Sequence, residues 1–206
     1  IISRIVYSVL YMWTYNLDYK EYQGSHPAVD IIVPIWTPIR NIANWVVVKT
    51  WYQAWWFWNY VVIKHNNIPL KDGINKNIYS TYAHLDSINV KSWVKVSKWK
   101  IIWNSWNTWM STTPHLHFQI DLEEAPFIPF WPFTLTQARN QGLDFFTWVN
   151  EGLGFEDALK YTIHPFDFIN NNINYKTFTS AHENTDISVK EEKIISLSSW
   201  NKEPKE

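Results

Sequence analysis

Hydrophobic positions in the first 125 residues fall into short β-branched runs rather than long helical stripes. The runs are "DIIVPI" (30–35), "WVVVKT" (45–50), "NYVVIKH" (59–65), "IYSTYAHL" (78–85), "WVKV" (93–96), "KIIW" (100–103) and "HLHFQID" (115–121), with Asn, Ser, Pro and Lys between them. Short strands at such spacing predict an all-β, mainly antiparallel sheet of sandwich or barrel-like form. The opening "IISRIVYSVLYMW" also reads as a strand, because Arg4 interrupts it and it falls far short of the roughly 20 apolar residues of a spanning helix. Lacking a start Met, it is read as part of a clipped mature chain, not as a signal peptide, and no integral membrane segment is expected.

From residue 126 the texture changes. Thr136 to Asn140 and Glu156 to Tyr161 read as helical, within a small C-terminal lobe spanning 126–175. Residues 176–206 are rich in Ser, Thr, Lys and Glu and predict a flexible tail. The main domain is therefore placed at 1–125, and no fixed-period repeat breaks it up.

Composition narrows the chemistry. A chain of 206 residues can bury a full core in one domain. With 18 basic against 19 acidic residues and a net charge of -1, nothing electrostatic favours nucleic acid or an anionic membrane, so no nucleic-acid partner is expected. The absence of cysteine excludes disulfides, thiolate metal sites and a cysteine nucleophile, so a metal would have to be held by His, Asp or Glu.

Three motifs offer such donors: "HPAVD" (His26, Asp30), "YAHLD" (His84) and "PHLHF" (His115, His117). A catalytic zinc takes three N or O ligands and keeps one position open, and His, Asp and His can supply that set. Pro27 and the run "DIIVP" argue for extended chain from His26 to Asp30, where positions i and i+4 share a face. His115 and His117 then share a face of their own strand while Leu116 and Phe118 point into the core, so one histidine can bind metal while its neighbour does acid–base work. Singly, each motif has a plainer reading: a structural His–Asp hydrogen bond, a half-buried His84, or an Asp86 in a solvated turn. His65 reads as a structural strand-end residue, and His164 and His182 have no partner motif.

Together and in this order, the motifs resemble the lysostaphin-type (LytM-like) zinc metallopeptidases over roughly residues 24–121. The resemblance implies the duplicated hybrid motif fold, with His26, Asp30 and His117 binding one Zn2+. It implies His115 as general base towards a metal-activated water, and His84 as the group that orients that water or stabilises the oxyanion. The implied reaction is endopeptidase hydrolysis in peptidoglycan stem peptides or cross-bridges, by a monomer in the bacterial envelope or outside the cell. One departure stands out: the family often has glycine between this His and Asp, where the chain has "HPAVD", but alanine is small enough for the site to survive. Three rivals are a non-catalytic relative that regulates other wall hydrolases, a phosphocarrier with paired histidines, and a carbohydrate-binding module built on exposed aromatics.

The resemblance also bears on an anomaly, 15 Trp against 5 Gly. Average usage of about 7% would give roughly 14 glycines. The family's turn glycines fall where this chain has Trp36, Trp45, Trp51, Trp55, Trp56, Trp58, Trp93, Trp99, Trp103, Trp106 and Trp109. Restoring those 11 to glycine would give 16. The expectation is a gene that reads UGA as glycine, translated here with UGA as tryptophan. A preponderance of Lys over Arg, with plentiful Asn and Ile, fits an AT-rich genome. Trp13, Trp131, Trp148 and Trp200 lie outside the matched pattern, and "FWPF" reads as a genuine aromatic cluster.

Overall fold

The computed structural model describes residues 6–16, 22–53, 57–104 and 114–172. These belong to one compact unit, Ile5–Ile173. The tail at 176–206, His182 and Trp55, Trp56, Trp106, Trp109 and Trp200 lie outside the described residues.

Strands β1 (Val6–Val9), β2 (Val29–Ile32), β4 (Trp45–Gln53), β5 (Trp58–Pro69), β6 (Asn75–Leu85), β7 (Lys95–Val96), β9 (His115–Leu122) and β10 (Thr162–Ile163) form an eight-stranded sheet. Its order is β1-β2-β9-β6-β5-β4-β7, with β10 pairing β9, and β3 (Pro38–Arg40) pairs with β8 (Ile101–Asn104) in a separate two-stranded sheet. Each of these pairings is antiparallel. The expected all-β, antiparallel class is what the chain adopts, and the seven β-branched runs lie on strands β2 and β4 to β9. β3 was not expected, because three residues around a proline carry no alternating signal.

Alternation along the strands assigns the two faces of the sheet. Val61, Ile63, Ile78, Tyr82, Leu116, Phe118 and Ile120 belong to the main core cluster. Tyr60, Val62 and Ala83 form a smaller buried cluster on the opposite face. β9 is the hinge of this division, since Leu116, Phe118 and Ile120 point into the main core while His117, Gln119 and Asp121 are buried polar residues on the other side.

Four short helices follow β9: α1 (Leu135–Asn140), α2 (Phe145–Asn150), α3 (Phe155–Tyr161) and α4 (Pro165–Asn172). α1 and α3 match the two helical stretches expected from sequence. The segment packs back onto the sheet, as Phe130, Ala158, Phe166 and Phe168 join the main core and β10 pairs with β9 through Thr162↔Asp121. α2 buries Trp148 and Val149 in a satellite cluster with Phe133.

Left-handed backbone concentrates at tryptophan. Trp36, Trp45, Trp58, Trp93 and Trp99 have φ of 67°, 145°, 52°, 70° and 67°. Such a conformation is cheap only for glycine.

Candidate metal centre

The site grows from the register of β2 on β9, which sets Asp30 opposite His117 and Ile32 opposite His115. His117 Nδ1 lies 3.0 Å from Asp30 Oδ1, and His115 Nε2 lies 3.8 Å from Asp30 Oδ2. His26 reaches the same carboxylate with Nε2 3.6 Å from Oδ1. It does so from the segment just ahead of β2, which begins at Val29. That segment is tied to the one before it: the Met12 amide donates to the His26 carbonyl at 2.8 Å and the Gly24 amide to the Met12 carbonyl at 3.1 Å. Only glycine fits at 24, where a Cβ would stand 2.0 Å from the Trp13 carbonyl oxygen.

His84 enters by a different device. Ala83 pairs with His117 and shares its face, so regular alternation would turn His84 away. Between Tyr82 and Leu85, both in the main core, β6 takes three steps where β5 takes two from Val61 to Asn59. This is a β-bulge, with His84 at φ 61°. The extra residue re-aims the imidazole, whose ring centroid lies 4.7 Å from that of His115 and 5.7 Å from that of His117. The His84 amide donates to the Phe57 carbonyl at 3.0 Å, while its Nδ1 is buried without a hydrogen-bond partner.

Burial and charge separate the five residues. His26, Asp30 and His117 are almost wholly buried, whereas the His115 side chain keeps 14% of its surface. Burial lowers the pKa of His26 to about 4, against the pull of Asp30, so its ring is neutral at pH 7. Burial pushes the Asp30 carboxyl up, but the facing imidazoles of His26, His115 and His117 outweigh it and hold the group well below the usual carboxylate range. Burial, reinforced by His115, keeps His84 neutral too.

The hydrogen-bond network decides which ring nitrogens carry lone pairs. His26 Nδ1 faces the Leu10 carbonyl at 3.4 Å, so it is the protonated nitrogen, and Nε2 is left buried, partnerless and aimed at Asp30. His117 Nε2 faces the Gln119 side-chain oxygen at 3.1 Å. Its Nδ1 then turns a lone pair towards the Asp30 carboxylate. Three electron-pair donors converging in a buried space repel one another unless a cation lies among them. Their ligand atoms all lie within 4.8 Å of one another. A tetrahedral ion with bonds of about 2.0–2.2 Å needs donors roughly 3.3–3.6 Å apart. The distances to Asp30, 3.0 and 3.6 Å, sit close to that. The residues present fit a zinc ion.

Sequence reasoning missed the surroundings. Tyr15 packs against His26 at 5.4 Å, Phe57 against His117 at 5.5 Å, and Trp131 against both histidines at 6.1 and 6.2 Å. Trp131 also stacks on Phe145 at 5.1 Å, so "FWPF" is an aromatic cluster as expected, but one that walls the site. Behind His117, the Gln119 amide nitrogen donates to Asp121 Oδ1 at 2.5 Å and to the Phe130 carbonyl at 2.7 Å. The period-two polar pattern of His117, Gln119 and Asp121 on an otherwise apolar strand was the available signal. His65 and His164 stand apart: His65 bonds Asn44 and Ser80, and His164 Nδ1 accepts from the Phe166 amide.

Residues 24–129 match Peptidase family M23. The chain belongs to Peptidase family M23. Within this family of peptidases, it is 36% identical over 103 residues to the peptidoglycan DD-endopeptidase ShyA of Vibrio cholerae, covering 50% of this chain and 22% of that protein. It is 33% identical over 96 residues to the glycyl-glycine endopeptidase ALE-1 of Staphylococcus capitis, covering 47% and 24%. The M23 chain thus spans less than a quarter of the length of these curated relatives. Among solved structures, lysostaphin from Staphylococcus simulans aligns at 31% identity with a TM-score of 0.40, over 47% of this chain and 37% of that one. No helix among the described residues is long and apolar enough to cross a membrane.

Proposed function

We propose that this M23 chain is a zinc-dependent metallo-endopeptidase that hydrolyses peptide bonds in peptidoglycan stem peptides or cross-bridges. The observation that carries the reading is the convergence of the His26 Nε2, His117 Nδ1 and Asp30 electron pairs, with His115 and His84 beside them. His26, Asp30 and His117 would hold one zinc ion. Bound there, zinc would supply Lewis acidity to the scissile carbonyl and to a water molecule. His115, the most exposed of the three histidines that face Asp30, takes the proton from the attacking water and passes it to the leaving amine. His84, neutral at working pH, donates a hydrogen bond that orients the water or steadies the oxyanion. Peptidoglycan as substrate, and with it a place in the bacterial envelope or outside the cell, rests on the family and on the peptidoglycan DD-endopeptidase relative; action as a monomer is part of the same proposal. The peptidase domain is placed at 1–125, with 126–175 as a lobe that supports it. The test is release of soluble peptides from purified peptidoglycan with and without a chelator. Chelator-sensitive release supports the reading, and no release from folded, zinc-loaded protein refutes it in favour of a regulatory relative.

The same reading extends to the tryptophans. We infer that the native protein carries glycine at the 11 family turn positions, through a gene that reads UGA as glycine. Seven of those positions have a described backbone: Trp36, Trp45, Trp51, Trp58, Trp93, Trp99 and Trp103. Five of the seven are left-handed, whereas Trp13, Trp131 and Trp148, outside the pattern, are not. A bulky residue in such a region costs about 1–3 kcal/mol. Peptide mass spectrometry of the native protein decides the matter, and tryptophan found at 93 and 99 would sink the inference.

A further inference from the structure

The Gln119 side chain has one possible orientation. Its amide nitrogen meets two acceptors, the Phe130 carbonyl at 2.7 Å and Asp121 Oδ1 at 2.5 Å. A backbone carbonyl cannot donate, so the reverse orientation would set oxygen against oxygen in a fully buried space. The Gln119 oxygen is thereby committed to His117 Nε2, 3.1 Å away, and that nitrogen must carry the hydrogen. A neutral imidazole has one hydrogen, so Nδ1 is left as a lone pair facing Asp30. Without Gln119, the cheaper arrangement is the opposite one: Nδ1–H donating to Asp30 at 3.0 Å, which blocks the ligand atom.

We propose that Gln119, clamped by Asp121 and the Phe130 carbonyl, is a positioning residue that locks His117 in the tautomer able to bind metal. The inference deepens the metallopeptidase reading and rests on His117 as a ligand. It also gives the segment after β9 a role, because the Phe130 carbonyl that holds Gln119 comes from it. Asp121 acts as an acceptor at Oδ1, while Oδ2 is buried without a partner. Burial raises that carboxyl to about 8, against the Gln119 hydrogen bond, so a neutral acceptor suffices there.

The tautomer can be read directly by nitrogen NMR of the His117 ring in metal-free full chain, at a pH high enough that the ring carries a single hydrogen. The parent should show hydrogen on Nε2, and hydrogen on Nδ1 overturns the proposal with no variant needed. Gln119→Met, similar in size but unable to accept, should shift the ring towards Nδ1–H. It should also weaken zinc binding by about 10–100-fold in competition with a chromophoric chelator. Gln119→Glu supplies an acceptor to Nε2–H but opposes the Phe130 carbonyl, so it should lose thermal stability while keeping zinc affinity. Asp121→Asn should keep both tautomer and affinity. A merely structural Gln119 would make affinity follow stability across these variants, and that result overturns the proposal. Should the parent bind no zinc yet show the Nε2–H ring that Gln119→Met disturbs, the positioning role stands and the zinc reading falls.

Discussion

Asp30 is the residue on which the site turns, because one carboxylate faces three imidazoles at 3.0, 3.6 and 3.8 Å. The three are not equivalent, and their exposure predicts how. His117→Ala removes a buried donor and should lose metal and activity together, measured by metal content after dialysis and by peptide release. His115→Ala removes a partly exposed group 3.8 Å away and should keep the metal while turnover falls by about 10²–10⁴-fold; an empty metal site in that variant would show the division of roles to be wrong. These residues were legible because each lies in a compact motif on or beside a strand. Gln119 and Asp121 were not, since a buried amide reads as a ligand's support only once its partners are known. At Trp93, 77% exposed with φ 70°, the side chain gives little burial for its backbone cost. Trp93→Gly should therefore stabilise the fold by about 1 kcal/mol. Trp148→Ala should do the opposite and cost about 3–5 kcal/mol, since it empties a buried place where its indole donates to the Leu153 carbonyl. Urea melts of both check the opposite signs.

At the scale of elements, the long central strands were readable because β5, β6 and β9 pair over many residues and keep strict alternation where they face the main core. α2 and α4 were not. α2 has six residues, weak helix formers such as Phe, Thr and Val, and is held by the Asp144 cap and by burial of Trp148. Packing, not propensity, decides it. The bulge at His84 was equally hidden, as it depends on the step of a neighbouring strand. β5 and β6 are also joined by His65, whose Nε2 meets the Ser80 hydroxyl at 2.7 Å and whose Nδ1 meets the Asn44 carbonyl at 3.1 Å. Burial lowers this imidazole from 6.5 to about 4. The unfolded chain therefore binds more protons between those two values, and stability present above pH 6.5 is lost as pH falls through 4. The shift corresponds to roughly 3 kcal/mol. His65→Gln should flatten the stability curve across that window, seen in urea midpoints at several pH values; an unchanged slope would mean that the ring is not held neutral.

For the molecule as a whole, the question is where the functional unit ends. The family match stops at residue 129. The core does not stop there, as Phe130, Phe166 and Phe168 share one cluster with Val29 and Ile120, and β10 closes on β9 beside Asp121. Burying three phenylalanines stabilises by roughly 5–9 kcal/mol at about 1.5–3 kcal/mol each. A domain of this kind has only about 5–15 kcal/mol in total. Cutting the chain after Ala125 should therefore abolish cooperative unfolding, whereas ending it at Asn172 should preserve it. The metal centre should follow the core, because the short chain lacks both the Phe130 carbonyl that orients Gln119 and the Trp131 ring that packs on His26 and His117. Thermal melts and zinc titrations of the two lengths test this together. If the chain ending at Ala125 folds and binds zinc as the longer one does, 1–125 is a self-sufficient domain and the later segment is an appendage. If it fails on both counts, the helices after β9 belong to the site they surround.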